Sequence, residues 1–415
     1  MKSMHVAMLR YCIGKPVLDI SSASRRLQLG AAGAALLATG LSWSSPKSAR
    51  CDADLKLTTY NILSPRLASP QQYPTYKRED LAKESRWPRI LARMKAAVED
   101  DRVIALQEVD LEWAGQLHAF FAEHGYAVVF AQYGKQMNGY MGVMLAWPTK
   151  SFQVQDVEIC RLADTAPKGV WPKSEASSLA RFGYFTYQGL TEILGCRPPE
   201  LDSQEQGGEW RLAQGRMNEA IFVRLRPRGG AVDFCVATYH MPCLFGTTEK
   251  VRAVNIHSQL LINRLRKFAA ADTTRGFVEA PVALMGDFNI KPGTSSYHLF
   301  ENGGSLAGIP KATKHEVHGL EQLPMNEFPA GLKSAYKDYF GKEPVFTNYA
   351  LSGMSKDVFV DTLDYIWFSP GLLNVIACQE LPSREQVKGP CPNSEEPSDH
   401  LPLHATLRLR ERNAA

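Results

Sequence analysis

The sequence predicts an α/β fold, and three observations carry that reading. Short apolar runs of strand length alternate along the chain with longer stretches of helical period. Several of the apolar runs stop at a polar residue, most plainly Ala280-Pro281-Val282-Ala283-Leu284-Met285-Gly286-Asp287-Phe288-Asn289. No internal repeat or second domain boundary appears between residues 54 and 410, so the chain reads as one large domain behind an N-terminal segment of different character.

The elements follow in order. Leu55 to Leu63 alternates like a strand and carries Asn61 near its end. A helix is expected over Trp87 to Asp100, with Ile90, Leu91, Met94 and Val98 on one face. Val103 to Glu108 reads as a buried strand ending in a carboxylate, Trp113 to His124 as a second helix and Tyr126 to Ala131 as a strand. Gly139 to Trp147 reads as an edge strand stopped by Pro148. From Cys160 to Arg216 prolines and polar residues break the pattern, which predicts an insertion with one short helix. Its aromatics, Trp171, Phe182, Tyr184, Phe185 and Tyr187, either line a groove or pin the segment to the body.

Periodicity returns at Asn218 to Val223 and at Val232 to Thr238, which runs into Tyr239-His240. A long amphipathic helix is expected over Thr248 to Ala271 and a short one over Thr294 to Phe300, followed by loops to about Val345. Phe346 to Tyr349 and Thr362 to Phe368 read as a strand pair, and Ser398-Asp399-His400 leads into a last strand ending near Leu409.

Composition sets loose bounds. The hydrophobic fraction of 45% and charged fraction of 22% are those of a folded globular protein. A net charge of +4 neither forbids nor establishes a polyanionic partner. The eight cysteines are scattered without a CxxC pair, so free thiols are expected.

Residues 1–53 form the segment apart. Lys2, Arg10, Lys15, Arg25 and Arg26 stand against one acid, Asp19, among several serines, the composition of an organelle transit peptide. The uncharged run Leu27 to Trp43 reads as the tail of a mitochondrial presequence, a second sorting signal or a signal anchor, and Arg25-Arg26 also suits a twin-arginine signal. Mitochondrial import is the expectation, with a plastid address or membrane anchoring through residues 27–43 as alternatives. No stable membrane span is expected in the domain itself.

The polar strand endings carry the chemistry. Asp287 and Asn289, two apart in an extended chain, face one spot, where they can take a proton from a water and hold it. An Asx turn is the ordinary alternative for that pair alone. Asn61, Glu108, His240, Asp364, Asp399 and His400 end or begin other runs, however, and charged groups beside buried strands need partners. Glu108 with Asn61 makes an oxygen-rich site suited to Mg²⁺, and the histidines lack zinc spacing.

Together Tyr60-Asn61-Ile62-Leu63, Leu106-Gln107-Glu108-Val109, Gly286-Asp287-Phe288-Asn289, Leu363-Asp364-Tyr365-Ile366 and Ser398-Asp399-His400 resemble the endonuclease/exonuclease/phosphatase superfamily. The resemblance covers about Lys56 to Arg408. Phe346-Thr347-Asn348-Tyr349 and Trp87-Pro88-Arg89-Ile90-Leu91 resemble its carbon-catabolite-repressor, nocturnin, Angel and 2′-phosphodiesterase branch. The resemblance implies a four-layer, deoxyribonuclease I-like α/β sandwich of two sheets with helices outside. It implies that Glu108, with Asn61 and Asp399, holds Mg²⁺, for which Mn²⁺ can substitute. Asp287 and Asn289 would handle the attacking water, His240 and His400 would donate to phosphoryl oxygens, and Asp364 would orient His400. Asn218 and Phe346 would contact substrate.

Three departures bear on substrate. His240 follows Tyr239 where the family places His directly after Thr, so Tyr239 is an alternative donor. The insertion and the Asn138 to Gly142 stretch differ from the deadenylase pattern. No leucine-rich region precedes Asn61, so docking to a deadenylase scaffold is not implied. The expected activity is a Mg²⁺-dependent phosphodiesterase, a 3′-exoribonuclease on single-stranded RNA tails. The alternative is hydrolysis of a small phosphoester such as a dinucleotide or a sphingolipid head group. A binding module that kept the fold would have lost Glu108, Asp287, Asp399 or His400, and all four are present.

Overall fold

A computed structural model describes residues 54–172, 208–230, 232–270, 279–352 and 357–410. The expected targeting segment and the insertion's Phe182, Tyr184, Phe185 and Tyr187 lie outside these residues.

Alternation along the strands decides the layering, because successive side chains point to opposite faces. In β1 (Leu55–Asn61), Leu55 and Leu57 face one apolar core while Tyr60 faces another. In β8 (Val282–Asp287), Ala283 and Met285 enter the same first core, while Val282 and Leu284 enter a third. The first core therefore lies between two sheets. The other two lie between each sheet and its helices, a four-layer α/β/β/α sandwich.

One six-stranded sheet runs β13-β14-β1-β2-β4-β3, with β2 Val103–Val109, β3 Tyr126–Gln132, β4 Gly142–Pro148, β13 Leu373–Cys378 and β14 Leu403–Leu409. The second runs β5-β6-β7-β8-β12-β9, with β5 Phe152–Arg161, β6 Glu219–Pro227, β7 Phe234–Tyr239, β9 Lys333–Ser334 and β12 Asp364–Phe368. β10 (Asn348–Ala350) and β11 (Phe359–Asp361) form a separate pair. The helices are α1 Arg78–Leu81, α2 Lys83–Glu99, α3 Leu111–Glu123, α4 Gly208–Gln214, α5 Thr248–Ala270, α6 Ser295–Glu301, α7 Ala335–Phe340 and α8 Arg384–Val387.

Two crossovers set up the site. α2 joins the parallel pair β1 and β2 and covers one sheet; α5 joins the parallel pair β7 and β8 and covers the other. The C-terminal ends of these four strands meet at one rim of the sandwich. β12 and β14, antiparallel to β8 and β1, begin at that same rim.

The helices expected from periodicity are present as α2, α3, α5 and α6, while α1, α7 and α8 were not expected, α7 lying inside the stretch read as loop. α2 and α3 start a few residues earlier than expected, α3 with Asp110 accepting from Trp113 N as an N-cap. Three expectations need correcting. β4 is not an edge: it lies between β2 and β3, and Pro148 is its last residue, opposite Tyr126. The edge strand β5 was not expected, because a bulge between Val154 and Asp156 breaks the alternation of Phe152 and Val154 with Val157 and Ile159. The segment at Phe346 to Tyr349 does not pair with Thr362 to Phe368. β10 pairs with β11, and β12 pairs with β8 and β9, setting Asp364 opposite Asp287.

The short helix expected in the insertion is α4, and Trp171 meets its Trp210 edge-on at 6.1 Å, pinning the segment to the body. The five cysteines among the described residues are free. Among the described residues no helix is long and apolar enough to cross a membrane.

Candidate active site

Strand parity delivers most of the site. Asn61, Asp287 and Asp364 lie on the inter-sheet face of their strands, directly above the apolar core, and His240 continues that face beyond β7. Beneath them Gln107 spans the two sheets, its Nε2 donating to Thr59 Oγ1 (3.1 Å) and Thr238 Oγ1 (3.2 Å). Glu108 breaks parity. A regular strand would turn it to the helix side with Ile104 and Leu106, but the β2–β4 register shifts between Leu106 and Val109. Glu108 itself takes φ 57°, a left-handed conformation uncommon outside glycine. This bulge swings its carboxylate to the rim.

There the polar groups interlock. Asn61 Nδ2 donates to Glu108 Oε1 (3.1 Å) and to Asp287 Oδ2 (2.9 Å). Asn61 Oδ1 accepts from Leu63 N at 3.0 Å, so the side chain shows the carboxylates its nitrogen rather than its oxygen. Ser64 N donates to Glu108 Oε2 (3.1 Å). Asp287 Oδ1 accepts from Asn289 N (2.9 Å), and its Oδ2 stands between His240 Nε2 (3.4 Å) and His400 Nε2 (3.6 Å).

His400 Nδ1 donates to Asp364 Oδ2 at 2.7 Å, and Thr347 Oγ1 donates to the same oxygen at 2.6 Å. Thr347 Oγ1 in turn accepts from the backbone N–H groups of Leu363 and Asp364. Asp399 Oδ2 accepts from Tyr73 Oη (2.9 Å) and Asn348 Nδ2 (3.3 Å).

Electrostatics divides the roles. Burial pushes the Asp287 carboxyl above the usual carboxylate range and the Asp364 charge adds to that, while the His400 charge and the Asn61 bond oppose it. Burial would also push His400 down, but Asp364, Asp287 and Asp399 outweigh it and hold the imidazole well above its ordinary value, favouring the cation. Glu108 is raised by burial and by the Asp399 charge, with the Asn61 bond and the His400 charge opposing.

Asp287, Asp364 and His400 each offer a ligand atom within 4.8 Å of the others, compact enough for a cation. Among the described residues no lysine or arginine forms an ion pair with Glu108, Asp287, Asp364 or Asp399. A carboxylate-rich rim of this kind suits a hard divalent ion.

The remaining candidates fall outside the cluster. Tyr239 is fully buried and bonds His257 Nδ1 (2.8 Å) on the helix side of the sheet, so His240 is the residue at the rim. Asn218 Nδ2 donates to the His240 carbonyl (2.8 Å); its carboxamide holds the end of β7. Phe346, expected on substrate, is 3% exposed and packs with Tyr349, Val387, Cys391 and Leu401 behind Thr347. Its ring belongs to a satellite core, and the expectation is corrected on that ground.

Sequence reasoning missed the rings that do face outward. Phe245, five residues after His240, lies 6.3 Å from Phe359 of β11, and Lys291 Nζ stands 4.8 Å over the Phe359 ring. The signal was one aromatic five residues after His240 and another five residues before Asp364, too common to single out.

Residues 58–400 of this two-sheet sandwich match the Endonuclease/Exonuclease/phosphatase family; the chain belongs to that family. Over part of their length it is similar to nocturnin and Ccr4 proteins. Nocturnin of Drosophila melanogaster is 29% identical over 208 residues, 48% of this chain and 29% of that protein. The CCR4-Not complex 3′-5′-exoribonuclease subunit Ccr4 of Coccidioides immitis (strain RS) is 25% identical over 403 residues, 88% of this chain and 48% of that protein. The chain thus spans half or less of these relatives' length. The structure of ANGEL2, a 2′,3′-cyclic phosphatase, aligns with TM-score 0.60 at 19% identity, covering 86% of this chain and 95% of that one. The human Nocturnin catalytic domain with bound sulfate aligns at 0.53 and 20% identity, over 86% of this chain and 96% of that one. At such identity these two structures speak to the fold alone.

Proposed function

We propose that this phosphoester hydrolase is a Mg²⁺-dependent 3′-exoribonuclease acting on single-stranded RNA tails. The observation that carries the reading is the Phe245, Phe359 and Lys291 rim, which hangs on the segments that follow His240 and Asn289 and precede Asp364. Exposed aromatic faces accept a base without regard to sequence, and Lys291, although paired with Asp361 Oδ2 (2.7 Å), adds a cation beside them. The named activity of the Ccr4 relatives supports it.

Glu108 and Asp399 are the carboxylates we assign to Mg²⁺, which when bound offsets the charge that builds on the reacting phosphate. Asp287 Oδ2 takes the proton of the attacking water; its raised pKa makes it a stronger base than an ordinary carboxylate. Asn61 and Asn289 hold that carboxylate from either side. His400, kept cationic by Asp364, donates through Nε2 to the phosphoryl oxygens. The composition of residues 1–53 supports a mitochondrial address.

The test offers end-labelled RNA ending in oligo(A), NADP and sphingomyelin separately to the chain with Mg²⁺, beside Asp287→Ala. Stepwise shortening of RNA that disappears in the variant and on chelation, and returns with Mg²⁺ or Mn²⁺, is expected. Release of phosphate or phosphocholine with intact RNA would reject the RNA reading in favour of a small phosphoester.

A further inference from the structure

The two histidines of the site are held in different ways, and the difference lies in the chain just before β4. His400 leans on a carboxylate. His240 leans on a neutral phenol: Tyr133 Oη lies 2.6 Å from His240 Nδ1, with the rings edge-on at 6.0 Å and 75°. Tyr133 follows β3 in one sheet and His240 follows β7 in the other, so this bond crosses between the sheets at the rim.

The Tyr133 end is itself anchored. The backbone N–H groups of Tyr133 and Gly134 both donate to Met141 O, at 3.1 and 2.7 Å. Further round the same loop Asn138 O accepts from Ser64 Oγ (3.2 Å) and Gly139 O from Leu111 N (3.0 Å). Ser64 is the residue whose N–H holds Glu108. One loop thus braces both the Glu108 side and the His240 side of the site.

We propose that Tyr133 is the positioning residue for His240, and that with Asn289 it sets the tautomer: Nδ1–H donates to the phenol oxygen and Nε2 turns its lone pair to the site. The inference rests on reading the centre as one that hydrolyses phosphoesters. Its basis is a hydrogen count. Asn289 Nδ2 has two hydrogens; one meets Met241 O (3.0 Å) and the other faces His240 Nε2 (3.2 Å), a shorter approach than that of Asp287 Oδ2 to the same nitrogen (3.4 Å), and with it Nε2 acts as acceptor. With Nε2 an acceptor, Nδ1 carries the proton, and the phenol oxygen is the atom placed to receive it. A carboxylate could hold the ring equally well, but it would add charge to a rim already rich in carboxylates. The two histidines then flank Asp287 Oδ2 in complementary states, His240 able to accept and His400 able to donate.

Tyr133→Phe in the full-length chain removes one oxygen and keeps the ring. On RNA with Mg²⁺, kcat is expected to fall about 10-fold with KM changed by less than about 2-fold, since positioning a proton acceptor acts on the chemical step. Added to His240→Ala, the same change should cost nothing more, as required of a residue that acts through His240. A readout free of substrate comes from side-chain ¹⁵N spectra of the unmodified chain in alkaline buffer, with His240 assigned by its loss in His240→Ala. The expected signature is the Nδ1–H tautomer, passing to a mixture in Tyr133→Phe while His400 stays put. Additive losses, or His240 found as the Nε2–H tautomer, would overturn the proposal. If RNA is not cleaved at all, the RNA reading fails and the spectra alone decide the role of Tyr133.

Discussion

Asp364 shows how much a single side chain can set. Its carboxylate is the first among the charges that lift His400 against the cost of burial. Replacing it with asparagine keeps the shape and removes the charge, so His400 loses its cation at lower pH. If that cation is the donor, activity is lost as pH rises through the His400 pKa, and Asp364→Asn should move that alkaline limb to lower pH. kcat should fall about 10² to 10⁴-fold, as for loss of an acid-base group; a pH–rate profile of both proteins checks it. An unmoved limb would deny His400 the donor's role. At this scale the sequence was informative about residue type, because Asp and His beside apolar strands need partners. It was silent on the φ 57° of Glu108, which depends on a register shift against β4. It also misjudged Phe346, whose burial depends on α8 and the segment before β14, far along the chain.

Among elements, the parallel pair β7 and β8 is the one the site depends on most. A Cβ built on Gly286 would stand 2.0 Å from Tyr239 O, so only glycine lets the two strands close at the point where His240 and Asp287 emerge. Gly286→Ala should destabilise the fold by about 3 kcal/mol through overpacking and lower activity beyond the loss of folded protein. Urea unfolding with rates normalised to the folded fraction measures both. α2 has a comparable duty in the other sheet. Its buried Arg86 donates to Ile62 O and Leu63 O at 2.6 Å each and to Pro397 O, tying the end of β1 to the segment that carries Asp399 and His400.

Across the whole molecule, acid should be more damaging than the mild net charge suggests. His257, fully buried on α5, accepts from Tyr239 Oη and donates to Ala213 O, a link between β7, α5 and α4 that needs the neutral ring. Burial lowers its pKa from 6.5 to about 4. The unfolded chain therefore binds a proton that the folded chain refuses, and stability falls as pH drops from 6.5 towards 4. The loss at this one residue is about 3 kcal/mol, and His257→Gln should flatten that part of the profile. Denaturant unfolding across the range measures it; an identical slope in the variant would place the acid sensitivity elsewhere.

The longer helices and core strands were legible in the sequence because they rest on local period: α5 came within one residue of its expected end, whereas β8 stopped at Asp287 and Asn289, read as extended, turns to φ 49° with its N–H on Asp287 Oδ1. What only the tertiary structure decided is non-local. Which strands share a sheet, the place of β4 inside one, the bulge that turns Glu108, the pairing of Asp364 with Asp287 and the bond from Tyr133 to His240 all join residues far apart in the chain. Side-chain period fixes the face a residue takes within its own strand. It carries no information about which distant strand will lie beside it, and that choice is made only when apolar faces find one another in the folded core.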